Sequence, residues 1–292
     1  MELENDLWGE DYHFFGGVWT LIKLEALEKY LAAFNTALSK QNFRRLYIDA
    51  FAGTGRCDVK LDGEKTCIDG SARRALRTVP AFHKYYFIEL SQRKLDALRA
   101  LKAEYPGADI EIAAGDANSA LQQLCRNYDW RNTRAVLFLD PYGMHVEWST
   151  LEAVAQTRAI DVWYLFPYSG LYRQAAKYAE ALDPKKEEAI TKILGTEEWR
   201  KVFYAPRRQK DLFDANVQEE RAVEHTEMLD YVSSRLKTIF PAVEKPKILF
   251  QAGNSQNPSG APLFALYFAV SNPSPGACGI ATNIARDILK RL

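Results

Sequence analysis

Four carboxylates in this 292-residue chain stand at the ends of successive apolar runs. Asp49 lies in Arg45-Leu46-Tyr47-Ile48-Asp49-Ala50-Phe51, Glu89 near the end of His83 to Leu90, Asp116 just after Ala108 to Ala114, and Asp140 at the end of Arg134 to Asp140. Short apolar runs between turn residues read as buried parallel strands, and an open parallel sheet binds ligands beyond the carboxyl ends of its strands. One acid at such a place is unremarkable; four in order mark an edge built for a ligand. Past Asp49 the chain continues Ala50-Phe51-Ala52-Gly53-Thr54-Gly55, where Gly53 and Gly55 allow a sharp turn and a close approach of backbone to ligand. Asp49 can accept from an ammonium group or orient the turn through backbone N–H groups. Glu89 suits a pair of ribose hydroxyls. Asp116, in Ala114-Gly115-Asp116-Ala117-Asn118, suits an adenine amine, with Phe51 and Ala117 completing the expected cofactor contacts.

The glycine spacing separates this turn from its closest competitors. A dinucleotide fingerprint needs a third small residue where Asp58 stands, and an acid about 20 residues on; Glu89 follows Gly55 by 34. The charged stretch Arg56 to Asp69 reads as a loop between the turn and the next helix, so no helix N-terminus closes on a pyrophosphate. No Gly-Lys-Ser/Thr follows, which excludes a P-loop. A nucleoside ligand without phosphates, such as S-adenosylmethionine, fits these residues.

Asp140-Pro141-Tyr142-Gly143 is similar to the D-P-P-Y motif of enzymes that methylate amino nitrogens. The resemblance implies that Asp140 and the Pro141 carbonyl accept from an amine, aiming its lone pair, while Tyr142 stacks on the acceptor. The second proline is missing here, which brings the aromatic ring one place closer to the acid. His145 follows as a possible base, although an oriented amine needs no strong base.

These residues require elements to carry them. Apolar spacing predicts a helix over 18–40. Strands at 45–51, 83–90, 108–114, 134–140 and 160–167 alternate with helices from Ser71 (as N-cap) to Val79, from Ser91, from Ala117 to Tyr128, and from a capping box at Ser149-Thr150-Leu151-Glu152. Strand runs resume at Lys247–Gln251 and Leu263–Val270, joined by a long hairpin connection. The expected fold is α/β, a Rossmann-like class I methyltransferase fold: a mostly parallel seven-stranded sheet with an antiparallel last strand. Residues 1–167 and 241–292 would form the core, and 168–240 a helical insertion for substrate or partner recognition.

Composition sets broader bounds. Lys and Arg number 38 and so do Asp and Glu, for a net charge of zero, which argues against purely electrostatic nucleic-acid binding and leaves room for a local basic groove. The run Arg207-Arg208-Gln209-Lys210 offers Arg207, Arg208 and Lys210 as contacts to substrate phosphates or to a partner; Arg73, Arg74 and Arg77 would extend a basic rim, and His225 reads as a surface residue. The 15 Tyr, 15 Phe and 6 Trp serve a packed core or stacking surfaces. The four cysteines show no C-x-x-C pair and read as reduced thiols. The acidic start and the lack of a 20-residue apolar run predict no signal peptide, no membrane span and a cytoplasmic protein.

Several segments together resemble the three-Cys-motif partner protein (TcmP) family: Trp19-Thr20-Leu21-Ile22-Lys23-Leu24, Tyr47 to Gly55, Phe138-Leu139-Asp140-Pro141-Tyr142-Gly143-Met144 with Val146-Glu147-Trp148, and Pro262 to Ala269. The resemblance implies a methyltransferase-like chain with a companion protein carrying a radical-SAM-like three-cysteine motif, so this chain's own cysteines are not that motif. By family position, Lys23 approaches the cofactor carboxylate. Two expectations follow: an S-adenosylmethionine-dependent N-methyltransferase acting on a base in DNA or RNA, or a methyltransferase-like partner that binds its companion without transferring methyl.

Overall fold

The computed structural model describes residues 17–61, 64–206, 219–253 and 258–292. In chain order the elements are α1 (Val18–Ala37), β1 (Arg44–Asp49), β2 (Arg56–Leu61), β3 (Glu64–Asp69), α2 (Ser71–Leu76), β4 (Lys84–Glu89), α3 (Gln92–Glu104), β5 (Ile110–Ala114), α4 (Ala117–Asn127), β6 (Thr133–Leu139), α5 (Trp148–Gln156) and β7 (Ile160–Phe166). Then come α6 (Tyr168–Gln174), α7 (Pro184–Leu194), α8 (Trp199–Phe203), β8 (Tyr204–Pro206), β9 (Glu219–Arg221), α9 (His225–Lys237), β10 (Ala242–Val243), β11 (Lys247–Gly253), β12 (Pro258–Val270) and α10 (Pro275–Arg291).

The main sheet runs β5-β4-β1-β6-β7-β12, with β10 and β11 both pairing along β12. The first five strands are parallel, whereas β12 is antiparallel to β7, to β10 and to β11. The chain reverses direction of growth between β1 and β6, the switch point at which an open α/β sheet places its ligand. Setting aside the two-residue β10, this is the expected Rossmann-like class I methyltransferase arrangement of seven strands.

Strand alternation splits the core. Leu46, Ile48, Leu137 and Tyr164 face α4, α5 and the helices after β7; Tyr47, Phe87, Phe138 and Trp163 face α1, α2, α3 and α10. All seven residues of β7 are buried, as a strand covered on both faces must be. Within 168–240, Ile190, Trp199, Phe203, Met228 and Val232 pack in the same core as β6 and β7. The described residues of this stretch are mostly helical, and β8 pairs β9 in a short ribbon.

Three local expectations are corrected. Arg56 to Asp69 is an antiparallel hairpin, not a loop, with Cys57 opposite Ile68 and Val59 opposite Thr66. Its neck is closed by Gly70 N–H donating to the Gly55 carbonyl at 2.9 Å. The alternation Cys57, Val59, Leu61 against Arg56, Asp58, Lys60, followed by Asp62-Gly63, is a hairpin signal that the density of charge obscured. Gly70, not Ser71, caps α2, which ends at Leu76. The helix after β6 begins at Trp148 behind Glu147 without a side-chain cap; among the described residues, a capping box stands instead at Glu224 and Glu227, at the start of α9. Among the described residues, no helix is long and apolar enough to cross a membrane.

Candidate functional site

β1 delivers Asp49 fully buried beneath the glycine turn. The Phe51 N–H donates to its Oδ1 at 3.3 Å and the Tyr47 hydroxyl to its Oδ2 at 3.0 Å, so Asp49 orients the turn, one of the two roles expected of it. Burial raises its carboxyl to about 6, opposed by hydrogen bonds from Ser71 and Tyr47. Gly53 and Gly55 both take positive φ, 62° and 76°, a conformation that L side chains seldom adopt. Phe51 is half-buried against the core under this turn.

β4 brings Glu89 beside the turn. Its Oε2 accepts from Gly53 N–H at 3.0 Å, and its Oε1 from Leu90 N–H at 3.0 Å and Ser91 N–H at 2.9 Å. A carboxylate offers about four acceptor positions, so about one is left for a ligand hydroxyl. β5 ends at Ala114, Gly115 follows, and Asp116 is exposed, accepting from Ser119 N–H at 2.9 Å as the N-cap of α4; Ala117 is buried at the first turn of that helix. A methyl group added at Gly53 or Gly115 would meet no atom within 4 Å. The two glycines therefore border open space beside Glu89.

β6 places Asp140 on the strand adjacent to Asp49, across the switch point. Lys23 of α1 reaches over the sheet edge and its Nζ lies 2.5 Å from Asp140 Oδ2, with the lysine side chain 11% exposed. The remaining oxygen, Oδ1, accepts no hydrogen bond among the described residues. Tyr142 is 79% exposed, and the Lys94 ammonium stands 4.7 Å from the centre of its ring. His145 is exposed and offers its carbonyl, not its ring, to the structure.

One residue that holds the site together was not foreseen. Asn118 Nδ2 donates to the His145 carbonyl at 2.8 Å, while its Oδ1 accepts from Glu147 N–H and the Thr150 hydroxyl, each at 2.9 Å. This buried amide ties the start of α4 to the loop that returns from Asp140, Pro141 and Tyr142. Position 118 directly after Asp116-Ala117 was the available signal.

The structure thus gathers Lys23, Asp49, Gly53, Glu89 and Asp140 at one end of the sheet, with Asp116 and Ala117 at the next strand end. Arg207, Arg208 and Lys210 lie outside the described residues. The expected basic rim is neutralised: Arg73 pairs with Glu104 at 2.6 Å, Arg74 with Glu28, and Arg77 with Asp69. His225 is not a free surface residue; its Nδ1 is 2.5 Å from the buried Tyr168 hydroxyl, and its ring stacks on Tyr172 at 4.3 Å. All four cysteines are free thiols. Cys57 is half-buried on the hairpin, where burial pushes its thiol up, opposed by the nearby Lys23.

No family model and no curated protein matches the chain. Solved structures do. A Legionella pneumophila protein of family DUF519 superposes over 94% of this chain and 93% of its own, with 11% identity and a TM-score of 0.51. An S-adenosylmethionine-dependent methyltransferase from Clostridium acetobutylicum covers 84% of this chain and 91% of its own, with 13% identity and a TM-score of 0.36. The N-terminal domain of EvdMO1, solved with S-adenosylhomocysteine and D-fucose, covers 84% and 82%, with 10% identity and a TM-score of 0.40. At 11% identity, what the Legionella protein shares with this chain is the fold.

Proposed function

We propose that this protein is an S-adenosylmethionine-dependent methyltransferase acting on an amino nitrogen of a nucleic-acid base. The observation that carries the reading is the placement of Asp140, at the end of β6, on the strand adjoining the Asp49–Gly55 turn at the switch point. Cofactor and acceptor would then meet edge to edge. The strand ends between Gly53 and Gly115 carry acceptors and contacts for an adenosyl group: Glu89 to accept from a ribose hydroxyl, Asp116 and Ala117 beside the adenine, and Phe51 along the turn. S-adenosylmethionine, when bound, supplies an electrophilic methyl group on sulfur.

The chain's own contribution is mostly positioning. The Lys23 ammonium fixes the Asp140 carboxylate through Oδ2 and leaves Oδ1 to accept from the amine, with the Pro141 carbonyl as a second acceptor. Two such bonds pull the nitrogen lone pair out of conjugation with the ring and aim it at the methyl carbon. Positive charge that develops on nitrogen as the N–C bond forms is stabilised by the Asp140 carboxylate, and the surplus proton leaves by the same oxygen. Tyr142, projecting into solvent, supplies a face for the extruded base. The basic run with Arg207, Arg208 and Lys210 would contact the strand's phosphates.

A second reading is supported by one feature. The Lys23–Asp140 ion pair already engages the carboxylate on which amine orientation depends, as suits a methyltransferase-like partner that binds a three-cysteine companion and transfers no methyl. Calorimetry with S-adenosylhomocysteine, followed by transfer of tritiated methyl to total RNA and DNA, separates the two. Absence of adenosyl binding would sink the enzyme reading. Tight binding with no transfer, alone or with the companion, would establish the partner reading.

A further inference from the structure

The cations around the glycine turn are not equivalent. Lys23, Arg73, Arg74 and Arg77 each have a carboxylate in close contact. Lys94, on the first turn of α3, does not: its nearest acid is Glu89 at 4.0 Å, and that carboxylate already serves three backbone N–H groups. What Lys94 does contact is the face of Tyr142, at 4.7 Å. Tyr142 itself is left 79% exposed, and Leu90, in the turn that leads into α3, is 65% exposed. An aromatic ring standing in water next to a weakly engaged ammonium is a pairing without an internal purpose. It combines the two groups that single-stranded nucleic acid demands, a stacking platform for a base and a cation for the backbone.

We propose that Lys94 is a phosphate-binding residue of the acceptor site, and that with Tyr142 it recognises one nucleotide of a single strand. The proposal rests on the nucleic-acid reading above and specifies it: the acceptor is an unpaired nucleotide within a strand, and not a free nucleoside. A cation held by an exposed ring and by a carboxylate no nearer than 4.0 Å is easily drawn away. When a base takes the ring face, Lys94 moves off the face and pairs with the phosphate beside that base. The flexible four-carbon stem of lysine permits this small excursion.

The test uses fluorescein-labelled single-stranded RNA and DNA 12-mers of mixed sequence, titrated by anisotropy at several salt concentrations with S-adenosylhomocysteine present. Lys94→Met is expected to weaken binding about five-fold at low salt and to reduce the slope of log K against log salt by about 0.7, the value for one lost phosphate contact on a single strand. Lys94→Arg, which keeps the charge, should restore both, and the thermal midpoint of all three proteins should coincide. Wild-type binding with an unchanged slope in Lys94→Met overturns the role of Lys94 while leaving the nucleic-acid reading standing. Failure of the wild type to bind either strand overturns both. Displacement of the strand by an equal phosphate concentration of mixed mononucleotides shows that the ligand is a free nucleotide, which also overturns the proposal.

Discussion

At the scale of single residues, the site depends on conformation and charge in separable ways. Gly53 and Gly55 share a left-handed backbone, but their surroundings differ: a Cβ at Gly53 meets open space, whereas at Gly55 it would lie 2.8 Å from Leu101 Cδ2. Gly53→Ala should therefore cost about 1 kcal/mol of stability, the strain alone. Gly55→Ala should cost more, because Leu101 is a core residue that must also give way; urea midpoints of the two variants measure the difference. Asp140→Asn keeps size and removes charge. Methyl transfer should fall by about 10²- to 10³-fold, the usual effect of losing one oriented charge-stabilising group, while calorimetry still records S-adenosylhomocysteine binding. A variant that transferred at the wild-type rate would remove Asp140 from the reaction.

At the scale of elements, the site is a set of strand ends and the loops that brace them. Asn118 makes one such brace, and its three hydrogen bonds join α4 to the loop between β6 and α5. Asn118→Ala leaves a carbonyl, an N–H and a hydroxyl without their partner, at a cost of roughly 1–3 kcal/mol. Hydrogen exchange at the Glu147 amide should accelerate more than at amides within β6. The strand ends themselves were readable, because β1, β4 and β6 are nearly unbroken apolar runs and each closes on an acid. The last strand was readable as an apolar run, but its antiparallel direction came with the class I methyltransferase fold reading and not with any local pattern. The hairpin β2–β3 was hidden by its charges, and the true caps at Gly70 and Glu147 by better-looking serines one and two residues away. Long-range partnerships were beyond reach altogether. Nothing local in the sequence says that Lys23 meets Asp140, 117 residues on, or that the polar-looking His225 lodges against Tyr168. Such pairs are set by how helices cross the sheet, which periodicity does not encode.

At the scale of the whole molecule, two buried acids bias stability towards low pH. Asp161, at the start of β7, accepts from the Tyr30 hydroxyl at 2.6 Å and is raised by burial to about 7; Asp49 is raised to about 6. Both fold more readily as neutral acids than their ordinary unfolded values near 4 allow. Their contribution is complete below that value and is lost as pH rises through 6 to 7. Wild-type protein should thus be less stable at pH 8 than at pH 5 by an amount of which Asp161 supplies roughly 2 kcal/mol. Asp161→Asn should flatten the curve of urea midpoint against pH by that amount, and an unaltered curve would show that Asp161 is ionised throughout. The neck of the β2–β3 hairpin has a broader consequence. Because Gly55 and Gly70 are joined to each other by a backbone hydrogen bond, the chain leaves the site and re-enters it at one fixed doorway. The segment between those two glycines folds back on the site, with Val59 fully buried and Cys57 beside Lys23. Pinning both ends of the hairpin at one point thus couples the shape of the turn to the packing of the ribbon above it, so a substitution at Val59 should be felt at Gly55.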